Sequence, residues 1–299
     1  MILKSKKILG IDITLSQKDD ILEEIWKYLA KIRNPKSEIR KEIVKPLIIY
    51  TPNPEIITYA QKDETFARIV NSAQINLPDG AGVVWALENL YGIKVQKLSG
   101  IDFMQELVKL VEKESPRIGL IGGRVGVALQ TRECLLVNHP NLKVEVFDVP
   151  EVKVSGIRYQ VSRINENKIR NTRYLILNTR DNDEQTIKYF QNLVKKIIEQ
   201  KIDILFVALG FPKQEYFIDR IKYYVLRIKY DKPLILMAVG GAFDYISGGV
   251  SRAPKWMRNM GLEWLFRLIR EPWRLLRMVK GGEFFLRVAF SSFFPIKYP

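Results

Sequence analysis

Short apolar, β-rich runs alternate with amphipathic helical patterns through most of this 299-residue chain. The runs predict strands at 47–50, 74–77, 117–121, 142–147, 174–177, 202–208 and 234–239. Helical patterns occupy the intervals, at 55–60, 82–90, 102–114, 125–136, 184–200 and 213–226. Buried strands that alternate with helices are typical of a parallel sheet with right-handed crossovers. The alternation therefore predicts an α/β fold, with a Rossmann-like layered, mainly parallel sheet flanked by helices.

The pattern changes near residue 250. A turn-rich junction at 251–256 leads into a Trp- and Arg-rich helical region from 262 to about 278, and then into an aromatic tail. We predict an α/β core over residues 1–249 and a helical appendage over 250–299. Within the core, residues 148–173 are rich in charge and asparagine and break the alternation, so we interpret them as an insertion.

Two short polar motifs follow neighbouring predicted strands. They are Thr51-Pro-Asn-Pro54 and Leu77-Pro-Asp-Gly-Ala-Gly82. In open parallel sheets, ligands bind at the carboxyl ends of the strands. Thr51, Asn53 and Asp79 are therefore candidates to face one crevice, where a carboxylate could transfer protons. The competing interpretation is helix capping, which asparagine before proline favours and which Asp79 also fits. For either residue taken alone, capping is the stronger interpretation.

Other strand ends carry glycine turns. Gly122 and Gly123 open a loop that suits either phosphate binding at a helix start or a tight turn, but the dinucleotide spacing G-x-G-x-x-G is missing. A further turn holds Gly240 and Gly241, and Gln214 begins a helix after a strongly apolar strand. Surface polarity on an exposed helix is the alternative for Gln214. The D-x-D word at 181–183 could ligate a cation, although its place before a helix favours capping.

Charge suggests a polyanionic partner. The net charge is +15, and residues 251–299 contain ten Lys or Arg against three Glu. On one continuous helix, four arginines at 267, 270, 274 and 277 would fall within an arc of about 80°. With nearby tryptophans, such a stripe favours phosphate contacts at an anionic membrane surface, and a solvated amphipathic helix is the alternative. Pro272 lies where a break would disturb this stripe.

Composition narrows the class further. One cysteine and one histidine exclude an intramolecular disulfide and a Cys- or His-rich metal site. No segment has the length and apolarity of a signal peptide or a membrane span, so we expect a cytoplasmic protein.

Several motifs of this sequence resemble those of the WecG/TagA/CpsF glycosyltransferase family, and they occur in family order over nearly the whole chain. They are TPN at 51–53, LPDGAGVVW at 77–85, SGIDF at 99–103, LGFPKQE at 209–215, VGGAFD at 239–244, RAPKW at 252–256 and GLEWLFRLIREPWR at 261–274.

The resemblance implies an inverting glycosyltransferase that needs no metal and no cofactor. It implies a UDP-linked N-acetylhexosamine donor, with N-acetylmannosamine or its uronic acid favoured, as in teichoic acid and other cell-surface polysaccharide synthesis. The implied acceptor is an N-acetylglucosaminyl diphospho-polyprenol, reached by a peripheral protein on the inner face of the membrane. By the same resemblance, Asp79 is the catalytic base, with Thr51 and Asn53 beside it. The residues that it implies for substrate binding are Lys97, Gln214, Arg267, Arg274 and Arg277, to which we add Gly122, Gly123, Gly240 and Gly241.

Two departures affect the donor site. The family usually has arginine where this chain has Lys97, which keeps the charge and loses the bidentate fork. The segment 148–173 also looks longer than usual and lacks an expected His-Gly-Tyr word, so the donor sugar stays open. We expect no nucleic-acid partner, because no recognition motif is present. Two functions are kept as alternatives to the glycosyltransferase, namely a nucleic-acid-binding protein and a nucleotide-dependent oxidoreductase. The oligomeric state, including a homo-oligomer, also stays open.

Overall fold

The computed structural model describes residues 3–33, 44–154, 174–176, 184–272 and 275–293. The strands are β1 Ser5–Ile8, β2 Ile11–Thr14, β3 Leu47–Tyr50, β4 Ile75–Asn76, β5 Arg117–Gly122, β6 Lys143–Phe147, β7 Glu151–Lys153, β8 Tyr174–Ile176, β9 Ile204–Ala208 and β10 Ile235–Ala238. The helices are α1 Lys18–Arg33, α2 Pro54–Ala60, α3 Glu64–Asn71, α4 Ala81–Tyr91, α5 Gly100–Val111, α6 Val127–Asn138, α7 Glu184–Glu199, α8 Lys213–Arg227, α9 Ala242–Ile246, α10 Lys255–Asn259, α11 Glu263–Arg270 and α12 Leu275–Phe293. A short 3-10 helix, Glu112–Glu114, extends α5.

Six of the described strands form one parallel sheet in the order β4-β3-β10-β9-β5-β6. Ile235 lies opposite both Leu47 and Ile204, which fixes the register at the centre of the sheet. The chain runs from β3 to β4 on one side and places the remaining strands on the other side of β3. The order therefore reverses at β3, which makes its carboxyl end a switch point of the kind where ligands bind.

Both faces of the sheet are covered by helices. Residues such as Ile48 and Leu236 belong to one buried cluster, which also includes side chains of α2, α3, α4, α7, α8 and α12. Their neighbours Ile49 and Met237 belong to the opposite cluster, with side chains of α1, α5, α6 and α9. Burial on two faces explains why the central strands are continuous apolar runs and do not alternate with polar residues. The predicted layered α/β sheet is confirmed.

The C-terminal segment differs from its predicted form. Helix α11 ends at Arg270 and α12 begins at Leu275, so the four arginines do not lie on one continuous helix, and the prediction of a single stripe is wrong. Pro272 lies in this interval, as expected of a residue that cannot continue a helix. The aromatic stretch after residue 284 is helical to Phe293, and α12 packs on α2 and α4. Within the described ranges, no helix is both long and apolar enough to span a bilayer.

Some predictions fall outside the main sheet or outside the described residues. The predicted strand at 174–177 is present as β8, but it pairs with β7 in a separate two-stranded sheet. The antiparallel β1–β2 hairpin was not predicted. The D-x-D word, Arg274 and most of the 148–173 segment lie outside the described residues, and Arg277 lies in α12 without a described side chain.

Candidate active site

Apart from Lys97, which lies between α4 and α5, and Arg267, which lies on α11, the predicted site residues that the structure describes follow successive strands along one edge of the sheet. In the order of the sheet, Asp79 follows β4, Thr51 and Asn53 follow β3, Gly240 and Gly241 follow β10, Gln214 follows β9, and Gly123 follows β5, which ends at Gly122. Adjacent parallel strands all present their carboxyl ends to the same side. The structure thus brings these residues to one edge of the sheet, which is called the strand-end cleft below.

The two polar motifs, at 51–54 and 77–82, are joined directly through backbone hydrogen bonds. The Leu77 N–H donates to the Tyr50 carbonyl at 2.9 Å, and the Asp79 N–H donates to the Pro52 carbonyl at 3.3 Å. Thr51 is only 6% exposed, and a Cβ at position 100 would lie 3.2 Å from its Cγ2, so the start of α5 packs closely against it. The position of Asp79 is therefore set by sheet pairing and not by its own side chain.

Asn53 and Asp79 differ in how they relate to the helices that follow them. The Asn53 Oδ1 accepts a hydrogen bond from the Ile56 N–H at 3.0 Å, so the capping interpretation of Asn53 is confirmed. The cap uses only the side-chain oxygen and leaves the amide nitrogen as a donor for a ligand. Helix α4 begins after Gly80, which has φ +92, and no side chain caps it. The capping interpretation of Asp79 is therefore wrong.

The carboxyl group of Asp79 lies in a mixed electrostatic environment. Burial is the largest influence on its pKa, followed by the negative charge of Glu263, and together they raise the pKa to about 7. Arg267 and Lys97 act in the opposite direction and favour the ionised form. A carboxyl with a pKa near 7 can both lose and accept a proton at neutral pH, which suits general base chemistry.

Ion pairs connect the cleft to the start of the appendage. The Arg252 guanidinium donates to both carboxylate oxygens of Asp102, at 2.6 and 2.7 Å. Ser99 caps α5 and donates to the same carboxylate, and although burial opposes them, these hydrogen bonds lower the pKa of Asp102. Lys97 Nζ donates to the Arg258 carbonyl at 3.1 Å and lies 4.0 Å from a Glu263 oxygen. Charged groups of the appendage thus meet charged groups beside Asp79.

Arg267 lies over the turn that follows β10. Its Nε donates to the Tyr245 hydroxyl, and its guanidinium carbon lies 4.9 Å from the centroid of the Tyr245 ring. A Cβ at position 241 would lie 3.7 Å from Arg267 Nη2. The guanidinium is therefore next to the exposed backbone of the Gly240-Gly241 turn, where a phosphate group could meet both.

Gln214 is buried and not at the surface, so its interpretation as an exposed polar residue is wrong. It is 2% exposed, its Oε1 accepts from the Gly240 N–H at 3.0 Å, and its Nε2 donates to Glu215 Oε1 at 2.9 Å. Glu215 is buried as well, and burial raises the pKa of its carboxyl to about 7. Gln214, which is itself held by Glu215, thus fixes the Gly240-Gly241 turn beside which Arg267 lies.

The loop after β5 approaches the neighbouring strand closely. Gly122 has φ +96, and a Cβ at this position would lie 2.7 Å from the Ala208 carbonyl oxygen. The Gly123 N–H donates to that same oxygen at 2.8 Å. The tight-turn interpretation is therefore confirmed, and only glycine fits at position 122.

Sequence reasoning overlooked several charged residues of the cleft, namely Asp102, Glu215, Arg252 and Glu263. All four lie 23 or more positions from Asp79 along the chain. The only indication of their role in the sequence was that they lie within the motifs that carry the family resemblance.

The fold and the site define an α/β enzyme whose strand-end cleft holds the carboxyl of Asp79, with a raised pKa, beside the cations Lys97 and Arg267. The model of the glycosyl transferase WecG/TagA/CpsF family matches residues 7–297. The chain belongs to this family, and it is therefore a glycosyltransferase. This result favours the transferase over the oxidoreductase alternative.

Curated relatives share most of the chain. A protein of Bacillus subtilis (strain 168), an N-acetylglucosaminyldiphosphoundecaprenol N-acetyl-β-D-mannosaminyltransferase, is 30% identical over 242 residues, which cover 81% of this chain and 78% of the relative. A protein of the same name from Staphylococcus aureus (strain MW2) is 25% identical over 258 residues, covering 86% and 85%. The names of these relatives specify both the sugar that they transfer and a lipid-linked diphosphate acceptor.

Proposed function

We propose that this protein transfers N-acetylmannosamine, or its uronic acid, from UDP to an N-acetylglucosaminyl diphospho-polyprenol at the inner face of the cell membrane. The product would serve cell-surface polysaccharide synthesis. The observation that carries the proposal is Asp79, which follows β4 beside the switch point at β3, has a pKa of about 7 and is flanked by cations from the core and the appendage. The relatives supply the substrate class.

Asp79 would act as the general base. As the acceptor hydroxyl oxygen attacks the anomeric carbon, the hydroxyl proton passes to the Asp79 carboxylate. The bond between the anomeric carbon and the UDP oxygen breaks on the opposite face, so the configuration inverts and UDP leaves with the bonding electrons. An alcohol is a weak nucleophile, and a positioned base contributes about 10²–10⁴ in rate.

Thr51 and Asn53 would orient the reacting sugar beside Asp79. Both follow β3, next to the backbone hydrogen bond that ties Asp79 to Pro52. The Asn53 amide nitrogen is directed by the cap that holds its oxygen. Gln214 is too deeply buried to touch a large substrate, so we assign it the positioning of the Gly240 turn.

The diphosphate groups would be bound by cations and by glycine backbone. Arg267 lies beside Gly241, and Lys97 lies beside Glu263 and the backbone of Arg258. We propose that these residues, with Arg274 and Arg277, neutralise the diphosphates of UDP and of the lipid without a metal ion. The turns at Gly122, Gly123 and Gly240 would let a phosphate approach the backbone closely, while the N–H groups of Gly123 and Gly240 remain bonded to Ala208 and Gln214. Guanidinium groups suit phosphate oxygens because they donate two parallel hydrogen bonds.

The appendage has the surface expected for docking on an anionic membrane. Among its described side chains, the exposed large apolar residues are Trp256, Met260, Trp264, Ile269, Phe285, Leu286 and Phe290. Exposed cations, such as Lys255, Arg270 and Arg287, accompany them. Aromatic and cationic side chains on amphipathic helices bind the interfacial layer of a bilayer, where each basic residue contributes about 1 kcal/mol.

The substitution Asp79→Asn tests the proposal. We expect kcat to fall by about 10²–10⁴, because the amide cannot accept the proton. The measurement is transfer from UDP-N-acetylmannosamine to a short lipid-diphosphate acceptor, with EDTA present throughout, and we expect EDTA to leave the wild-type rate unchanged.

Stability serves as the control for folding. The raised pKa of Asp79 means that its ionisation lowers the free energy of unfolding as the pH rises from about 4 through about 7. The asparagine variant should therefore be at least as stable as the wild type at pH 8. A folded variant that keeps more than about a tenth of the wild-type turnover would rule out Asp79 as the base.

A further inference from the structure

We propose that Glu263, on the first turn of α11, is a positioning residue that makes Asp79 a stronger base and couples this effect to the seating of the appendage. The inference rests on the proposed function, in which Asp79 accepts the proton. Asp79 comes just before the N-terminus of α4, and a helix N-terminus stabilises a carboxylate and so weakens it as a base. A nearby negative charge has the opposite effect.

Two separate contacts bring Glu263 to the Asp79 side of the cleft. A Cβ at Gly261, two residues before Glu263, would lie 3.0 Å from the Cβ of Ala81, two residues after Asp79. On the other side, the Leu98 N–H donates to the Pro78 carbonyl at 3.0 Å, and Lys97 Nζ then lies 4.0 Å from Glu263 Oε2. The segment around Glu263 therefore contacts the segment around Asp79, directly at Gly261 and Ala81 and indirectly through Lys97 and Leu98.

Glu263 is held in place by cations of the junction. Arg252 Nε lies 3.5 Å from Glu263 Oε1, and the Glu263 side chain is only 21% exposed. Arg252 is itself fixed by its two hydrogen bonds to Asp102. These contacts give the carboxylate of Glu263 a defined position while the junction is seated against α5, so its effect on Asp79 would depend on that seating.

Four charged groups on the surrounding elements influence the pKa of Asp79. Lys97 and Asp102 come from the core, and Glu263 and Arg267 come from α11. After burial, Glu263 is the strongest of the influences that raise the pKa of Asp79, and Arg267 and Lys97 lower it. Removing the charge of Glu263 would also leave Lys97 less neutralised. Both consequences lower the pKa of Asp79, so the sign of the expected effect is fixed.

The test is the pH dependence of kcat/KM for Glu263→Gln in the full-length enzyme, with UDP-N-acetylmannosamine and a short lipid-diphosphate acceptor. We expect the acid limb to move to lower pH by about half a unit or more. At pH 8 the rate should fall by a few-fold, because the weaker base is already ionised. Glu263→Asp should restore most of both changes. The matched control is Glu283→Gln, which removes the same charge from α12, where Glu283 pairs with Lys62, and should not move the acid limb.

Glu263→Ala provides a second reading if Glu263→Gln does not fold, because it removes the carboxylate without placing an amide between Arg252 and Lys97. The acid limb should again move to lower pH. An unmoved or raised limb in the variant that folds overturns the inference, while an inactive Asp79→Asn keeps the proposed function. An active Asp79→Asn would instead overturn the proposed function itself.

Discussion

The strand-end cleft and the C-terminal appendage are built on different physical principles. The strands behind the cleft are buried on both faces, a backbone hydrogen bond ties Asp79 to Pro52, and Thr51 packs against the start of α5. Helix α11, which carries Glu263 and Arg267, has no buried residue and depends on ion pairs and on a close contact at Gly261. The group proposed to do the chemistry is therefore rigidly held, and the groups proposed to tune it are held more weakly.

Helix α12 is the exception within the appendage, because it has an apolar anchor. Phe284 and Val288 are completely buried against the core, and Phe285 stacks near Trp85 with ring centroids 5.2 Å apart. A Cβ at Gly82, near the start of α4, would lie 3.0 Å from Phe285. The appendage is thus fastened at α12 and at the Arg252 junction, with α11 between them.

Phe284→Ala tests how the appendage is attached to the core, and it has the largest expected effect of these substitutions. Removing a fully buried phenylalanine costs about 3–5 kcal/mol. The loss should fall on the docking of α12, so hydrogen exchange of the α12 amides should rise while that of β9 and β10 stays slow. Phe290→Ala is the matched control, and as an exposed position it should change the free energy of unfolding by about 0.5 kcal/mol or less. Equal destabilisation of the sheet would show that the appendage and the core form one cooperative unit.

Arg267→Ala addresses the contribution of α11 to substrate binding. A hydrogen bond to a charged group is worth about 1.5–3 kcal/mol, so kcat/KM for the donor should fall about 10- to 100-fold. Because Arg267 lowers the pKa of Asp79, the acid limb of the profile should also move to higher pH. Arg270→Ala, an exposed arginine over the Phe266 ring, is the control. Equal losses in the two variants would contradict a specific role for Arg267.

Phe290→Ser tests the outer surface of the appendage and should have the smallest effect. Phe290 is 57% exposed, and in the proposed function it contributes to membrane binding. Partial insertion of one phenylalanine is worth about 1–2 kcal/mol, so partitioning into anionic vesicles should fall about tenfold. Sedimentation with such vesicles measures this, and Val137→Ser on α6 of the core is the control. Identical partitioning of both variants would place the membrane contact elsewhere.

Much of the core could be predicted from the sequence, because its signals are local. Continuous apolar runs such as Ile204–Ala208 predict buried parallel strands, and the Asn53-Pro54 pair predicts a capped helix. The β1–β2 hairpin was missed because its strands are only four residues long and the first is mostly polar. The break between α11 and α12 was indicated by Pro272, but periodicity alone still favoured one arginine stripe.

The candidate site was predictable only in part. The placement of Thr51, Asn53 and Asp79 at one edge follows from strand order, which the alternation of elements suggests. The burial of Gln214 and the pairing of Arg252 with Asp102 did not follow, because each joins segments that are distant in the chain or depends on which face of a helix meets the sheet.

The sequence by itself determined the layered α/β sheet, the family and the residue types at the strand ends, since these depend on local pattern and on matched words. Only the tertiary structure decided that Asp79 is not a cap and that its pKa is near 7. The physical reason is that a pKa depends on burial and on charges within a few ångströms, and those around Asp79 come from Lys97, Asp102, Glu263 and Arg267. Folding alone brings these distant positions into one electrostatic environment.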